Sequence, residues 1–401
     1  MKFASVVLML SVLVGCTSSK TRSPARSSMS RAAAGASPTS QPSTPIQQSI
    51  ARGVKFLLES QNADGSWGTG LETRGFEVYS MVPGTHDALR SATTALCVMA
   101  LREVGGQSEA HARGLAFLIA HGQARRDEGA LLYNIWAHTY VLQALAAELK
   151  LDPKNERIRK AALWHLDYLR RYETYIGGWN YYDFDAQTQT PSMEPTSFGT
   201  AAGLVALYEA KSAGLDVPSV ISSRAIKRLE EQWLPGGAYL YSWGLRYRPR
   251  QPANRIRGSV GRTQSCNYAL WLWGSPMIGE KQVHDGLEMF FAEHPYIEMG
   301  RKRQYPHESW YQTAPYYYYF GHYYTGLLLE KLGPEGRERY GARLADQIVP
   351  KQDADGAWWD YAMWDYHKPY GTAYAIMTLL RCEERGEERS DRSPRGATAG
   401  K

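Results

Sequence analysis

Residues 60–68 read SQNADGSWG and residues 351–359 read KQDADGAWW. Both spell glutamine, three residues, glycine, one residue, tryptophan: Gln61, Gly65 and Trp67 near one end of the chain, Gln352, Gly356 and Trp358 near the other. A core that recurs at such a distance marks a repeat unit, and a repeat decides the architecture before any other signal does. GGWNYY (177–182) and GGAYLYSWG (236–244) lie between the two and read as degenerate copies. Gln61 is expected to bond the free carbonyls at its own helix end. The glycine permits a tight turn, and the tryptophan packs back over the helix terminus. These residues are read as structural staples.

Around the repeats the apolar spacing is helical and no period-2 run stands out. Six helices with charged outer faces are expected at Gln47–Gln61, Gln107–Gly122, Asn155–Glu173, Pro218–Trp233, Glu280–His294 and Glu335–Lys351. Six richer in small and apolar residues are expected at Asp87–Val104, Asn134–Leu149, Thr196–Ala213, Thr263–Trp273, Phe320–Leu332 and Gly371–Glu383. A helix apolar on most of its circumference is buried and one with a charged stripe faces water. Strict alternation of the two kinds predicts a double ring over residues 47–384. The phrases FGTAAGLVAL, YGTAYAIMTL and SATTALCVMAL share a threonine two turns before a leucine, and their small residues allow close helix approach.

Outside that body the chain changes character. Lys2, the apolar run Phe3–Val14 and Leu13-Val14-Gly15-Cys16 read as a signal peptide over 1–16. Its ending resembles the lipobox of bacterial lipoproteins, which implies lipidation at Cys16 and attachment to a membrane. Residues 17–46 are rich in Ser, Thr, Pro and Ala and read as a disordered linker, as do the polar residues 385–401. The expected location is the cell envelope, lipid-anchored and extracytoplasmic, at the outer membrane or facing the periplasm. Cys97, Cys266 and Cys382 remain; three thiols make no disulfide framework and sit in apolar helical stretches. The net charge of +6 is too small to point to nucleic acid. The aromatic content is unusual, with 27 Tyr and 12 Trp against 9 Phe, an excess of amphipathic rings suited to a surface where apolar matter meets water.

RGVKFLLESQNADGSWG (52–68) resembles the QW repeat of the squalene cyclase and protein prenyltransferase superfamily, through Arg52, Phe56, Gln61, Gly65 and Trp67. QDADGAW (352–358) matches the core of that repeat again. The resemblance implies an all-α fold, a single (α/α)6 toroid of six inner and six outer helices. Fold alone does not give function.

In such a ring the long outer-to-inner loops gather at one end, and their composition defines three candidate constellations. The first is acidic: Asp183, Asp185, Glu194, Asp360 and Asp365, with DFDA (183–186) a near miss to the DxDD acid motif of squalene–hopene type cyclases. The second is metal, as in prenyltransferase toroids, but Asp365, His367, Cys266 and His322 are scattered, so neither metal nor cofactor is expected. The third is basic: Arg246, Arg248, Arg250, Arg255, Arg257 and Arg262 lie in a stretch without Asp or Glu, suited to an anionic ligand. Catalytic candidates are Asp183, Asp185, Glu194, His307, Glu308, Asp365 and His367. Ligand-binding candidates are His86, Trp179, Tyr181, Arg246, Arg248, His322 and Trp358. The expected function is an envelope toroid that binds, or transforms, an isoprenoid, lipid or other apolar or anionic ligand in an aromatic-lined mouth. A polysaccharide lyase or glycoside hydrolase using His307, Glu308, His86, His322 and Tyr311 is one alternative. A non-catalytic envelope interaction module is the other.

Overall fold

The computed structural model describes residues 44–74, 83–124, 134–184, 188, 190–192 and 194–383. Cys16, the 17–43 part of the linker, Asp185 and the tail from residue 384 lie outside the described residues. Thirteen α-helices and no strand are found among them.

The first, α1 (Pro45–Glu59), starts two residues before the apolar pattern does. Thr44 accepts from the Gln47 N–H and the Gln47 side chain accepts from the Thr44 N–H, a reciprocal cap. The Thr44 hydroxyl also donates to Glu383, joining the two ends of the folded body.

Next come α2 (Pro83–Val104), α3 (Ser108–His121), α4 (Asn134–Leu151), α5 (Glu156–Tyr172), α6 (Ser197–Ser212) and α7 (Ser219–Glu230). The second half holds α8 (Ile256–Leu272), α9 (Glu280–Ala292), α10 (His294–Gly300), α11 (Tyr317–Leu332), α12 (Pro334–Ile348) and α13 (His367–Cys382). The helices α1, α3, α5, α7, α9 and α12 each bury one stripe; in α5 it is Ile158, Ala161, Ala162, His165, Leu166, Leu169 and Tyr172. The helices α2, α4, α6, α8, α11 and α13 are buried almost all round, as the run Ser197–Leu207 in α6 shows. Each of these packs on the next, and α13 returns to α2, which closes the inner ring. The outer helices pack outside the seams, with α1 against α13. The double ring expected from the alternation is therefore the observed one. Small residues set its spacing: a Cβ on Gly321 of α11 would fall 2.9 Å from the Gly261 carbonyl of α8.

Two boundaries differ from the sequence reading. α8 begins at Ile256, two turns before Thr263, because Gly258 and Gly261 serve close packing and not a turn. α10 was not anticipated: Pro295 sits at the first turn of a new helix, where its missing N–H costs nothing.

The repeat acts as a staple between three helices. Trp67, Trp179 and Trp358 are fully buried, and each indole Nε1–H donates to the carbonyl ten residues earlier: Leu57 (2.7 Å), Leu169 (2.8 Å) and Ile348 (2.9 Å). Each backbone N–H donates to a threonine of the next inner helix: Thr94, Thr200 and Thr372. In the fourth copy Tyr239 takes the tryptophan place, and Ser259 accepts its N–H at 3.0 Å. Gly65, Gly177 and Gly356 have positive φ, and a Cβ there would lie 2.5–2.8 Å from the Arg113, Arg224 and Arg52 carbonyls of the next outer helix. The glutamines do something other than expected. Gln61 Nε2 donates to Gly65 O and to Ala110 O of α3, and Gln352 Nε2 to Gly356 O and to Ser49 O of α1, all at 2.9 Å. They cap the neighbouring helix's register, not their own helix end.

Glu173 occupies the glutamine place in the third copy, where Thr174 N–H to Gly178 O repeats Asn62 N–H to Ser66 O. An ionised carboxylate has no donor for α7, and burial pushes the Glu173 pKa up to about 7 against the pull of Arg224. A raised carboxylate favours the folded state at low pH and weakens it as pH rises through about 7. Glu173→Gln restores the amide donor, so the unfolding free energy at pH 8, read from urea titrations, should rise by about 1–2 kcal/mol and the gain should vanish near pH 5.

Candidate functional site

The inner ring lines an open-mouthed cavity of about 280 Å³. Aromatic rings reach it from successive turns of the inner helices: Trp136 and Tyr140 of α4, Phe198 of α6, Tyr317 and Phe320 of α11, Tyr370 and Tyr374 of α13. Leu89, Ala92, Thr93 and Leu96 of α2 form an aliphatic wall, and α8 contributes no lining residue. The loops that precede the inner helices add Tyr181, Tyr182, Pro306, His307, Tyr316 and Met363 at the mouth. Residues at i and i+4 share a helix face, which is why the pairs 136/140 and 370/374 point the same way. Packing is mostly ring on ring: Trp136 stacks near Tyr140 and Phe198, with centroids 6.0 and 6.1 Å apart, and Phe198 meets Tyr317 edge-on at 5.2 Å.

The polar groups at this surface are hydroxyls and one imidazole. The Tyr374 hydroxyl donates to Tyr140. The Tyr370 hydroxyl donates to Asp360 at 2.8 Å, and Asp360 also accepts the Tyr319 N–H at 3.1 Å. Asp360 is fully buried one residue behind the lining, and burial pushes its pKa up to about 6. His307 Nδ1–H donates to the Gln312 carbonyl at 2.7 Å, which leaves Nε2 as the acceptor, 3.5 Å from the Tyr316 hydroxyl. Burial lowers its pKa, so the imidazole is neutral at pH 7. The loop holding it is strained: Lys302, His307, Tyr311 and Gln312 all have positive φ. Such strain in non-glycine residues gathers where a structure has to hold a group in place.

Of the residues singled out in the sequence, the structure brings Tyr181 and His307 to the cavity. The others sit elsewhere. Asp183 is buried but accepts from Asn134 at the start of α4 (3.1 Å) and from the Phe184 N–H. Glu194 and Glu308 are exposed. Asp365 accepts from Thr69 at the rim (3.2 Å), and His367 donates to the Trp364 carbonyl (2.7 Å). His86 lies beside Trp364 and within 3.2 Å of the Tyr366 hydroxyl. Trp179 and Trp358 are the staples described above. His322 pairs with His294 (Nε2 to Nε2, 3.1 Å) behind α11, as His138 pairs with His165 between α4 and α5. Burial lowers the pKa of all four. Among the described residues no three His, Cys, Asp or Glu side chains group to hold a metal.

The basic run divides in two. Arg262 is fully buried, bonded to Ser197, Leu240, Ala253 and Gly258, with its guanidinium 5.2 Å from the Tyr241 ring. Arg246 folds over Trp243 and Tyr247, and Arg248 is exposed.

No family model matches the chain. A probable squalene–hopene cyclase of Sinorhizobium fredii is 30% identical over 181 residues, which are 40% of this chain and 26% of that protein. The match thus spans about a quarter of the relative's length. Among solved structures, the type II terpene cyclase MstE from Scytonema superposes with a TM-score of 0.51 at 14% identity, over 84% of this chain and 97% of that one. An inactive variant of the α-1,6-mannanase GH76A of Salegentibacter, in complex with α-1,6-mannotetrose, gives 0.56 at 8% identity, over 85% and 99%. The fold is an α/α toroid. At these identities the structural likeness carries the fold and nothing about activity.

Proposed function

We propose that this toroid holds one compact apolar ligand, of the isoprenoid or a comparable hydrocarbon class, inside its inner ring. The observation that carries this is the lining: rings and aliphatic side chains, with hydroxyls and a neutral imidazole as its polar groups. Ligand pockets are usually about 300–1,000 Å³, so a cavity near 280 Å³ suits a single short chain or one small ring system. Aromatic faces also favour unsaturated and electron-poor carbon over a plain alkane. Carbohydrate hydrolysis would call for two facing carboxyls; among the described residues the lining carries no carboxyl, and Asp360 behind it is already committed to Tyr370 and Tyr319. In this reading the chain is an envelope protein tethered through Cys16, of the terpenoid cyclase-like toroid type, and binding is its main activity.

The test is ligand capture. Native mass spectrometry of the full chain from its own host should show a co-purifying hydrocarbon lipid. Thermal shift with a short isoprenoid alcohol should be positive and with uronate oligosaccharides flat; the reverse would sink the reading. Ala92→Phe fills the cavity from the aliphatic wall. It should weaken isoprenoid binding by at least about tenfold with the melting temperature held or raised, since burying the added ring offsets mild overpacking.

A further inference from the structure

The loop end of the toroid carries a surface that the cavity does not use. Among the described residues the exposed large aromatic side chains are Tyr175 (70%), Tyr247 (80%), Tyr305 (45%) and Trp310 (73%). All four lie on loops that lead from an outer to an inner helix, hence at one end of the ring. Leu71, 67% exposed, joins them from the first such loop. Leu58, in the last turn of α1, and Met299 of α10 belong to this same end; among the described residues the outer wall and the opposite end expose only Leu163, Val220 and Leu151, singly. Isolated exposed aliphatics are ordinary; tyrosine and tryptophan collected at one end are not.

Charge gathers on the same end. Arg248, Arg250, Arg255 and Arg303 are exposed, and none forms an ion pair among the described residues. Arg255 and Arg303 are bonded only to backbone carbonyls, of Arg250 and Met299. Glu72, Glu194 and Glu308 are exposed at this end too, but the stretch from Gly237 to Gly279 has no acid at all. The two richest loops are packed together: Gln251 donates to Gln312 (3.3 Å) and Arg257 to the Tyr311 hydroxyl (3.1 Å). Tyr247 and the arginines of one loop are therefore held beside the loop that carries Trp310.

We propose that this end docks on an anionic lipid bilayer, with Tyr247, Tyr305 and Trp310 in the headgroup layer and Arg248, Arg250, Arg255 and Arg303 on the lipid phosphates. Tyrosine and tryptophan settle where hydrocarbon meets water, their rings apolar and their N–H or O–H groups solvated. Unpaired guanidiniums add attraction to an anionic leaflet and hold phosphate in bidentate geometry. Charge complementarity favours a bilayer over a second copy of this chain, whose own loop end would present the same arginines. The inference goes beyond the ligand reading and does not depend on it, although docking would bring the cavity's loop end, with Pro306 and His307, against the lipid.

The test reads which end faces the bilayer, so an anchor elsewhere in the chain does not obscure it. An environment-sensitive fluorophore is placed in the full chain through Tyr247→Cys, Trp310→Cys or, at the opposite end, Leu151→Cys. The probes are vesicles of phosphatidylcholine alone and with about a third phosphatidylglycerol. Labels at 247 and 310 should blue-shift on the anionic vesicles and the label at 151 should not; Arg248→Glu with Arg250→Glu should weaken the shift at 310 by about tenfold in lipid concentration. Equal shifts at both ends, no shift at 247 and 310, or a shift indifferent to phosphatidylglycerol and to the arginines would each overturn the proposal. None of these results would move the isoprenoid thermal shift, so the two readings fail separately.

Discussion

Replacing Trp179 by alanine should lower the stability of the folded body by about 3–5 kcal/mol, the range for removing a large buried aromatic. The reason is specific to its position. The indole fills the space beside Gly203 of α6, where a Cβ would already meet the ring at 2.5 Å, so α6 cannot close over the hole without moving against its neighbours. The same change leaves the Leu169 carbonyl at the end of α5 without its donor, and a buried unsatisfied carbonyl adds about 1–3 kcal/mol if water cannot reach it. The melting temperature should drop by roughly 5–10 °C. Trp67→Ala and Trp358→Ala should cost similar amounts because their bonds repeat those of Trp179. Thr200→Val, which removes the acceptor for the Trp179 N–H and a 3.3 Å bond to the Trp179 carbonyl, should cost about 1–2 kcal/mol. Because Trp179→Ala keeps the backbone groups that Thr200 bonds, a double-mutant cycle between the two should be close to additive. Equal, small effects at both positions would mean that the staple is ornamental and the ring holds through its helices alone.

The staple was legible in the sequence because it is made of unusual residues at fixed offsets, and so was the ring, because the helices differ in kind. Even so, the glutamine's partner was misread: nothing local says that Gln61 reaches Ala110, forty-nine residues on, instead of its own helix end. Helix edges slipped where glycine and proline had two possible uses. Gly258 and Gly261 look like turn residues and serve close packing inside α8, while Pro295 looks like a stop and opens α10.

The cavity was legible only in outline. Carboxylates and histidines stand out in a sequence by their chemistry, and most of those chosen are engaged in local duties: Asp183 with Asn134, Asp365 with Thr69, His322 with His294. The residues that do line the space, such as Trp136, Tyr140, Phe320 and Tyr374, carry no chemistry that sets them apart from core residues in the sequence. In a ring of helices the face toward the axis and the faces toward neighbouring helices are all apolar, so hydrophobic periodicity cannot separate lining from packing. The one available signal was size. The inner helices are built of Ala, Gly and Thr where they touch one another, and large rings at i and i+4 on that background mark the face that has room.

The second large effect is expected at the other end of the ring. Arg381 on α13 is 6% exposed and binds Glu103 of α2 through two nitrogens, at 2.6 and 3.1 Å, and Glu330 of α11 at 2.9 Å. It joins the last inner helix to the first and to its predecessor, so it sits across the seam that closes the toroid. The two glutamates hold its pKa even higher than usual, overcoming desolvation, so its charge is permanent. Arg381→Ala would take from Glu103 and Glu330, 20% and 37% exposed, the guanidinium they share, and should cost about 2–4 kcal/mol, somewhat below the value for a fully buried pair. Arg381→Lys should recover less than half, because an ammonium cannot satisfy both carboxylates with parallel bonds. If the cost arises from stranded charge, replacing all three residues with Met and Leu should be far milder than Arg381→Ala alone. If it arises from a gap in the seam, the triple and single variants should unfold alike. Urea midpoints decide between these, and raising salt to about 1 M should barely change the wild-type value, since a buried pair is screened little.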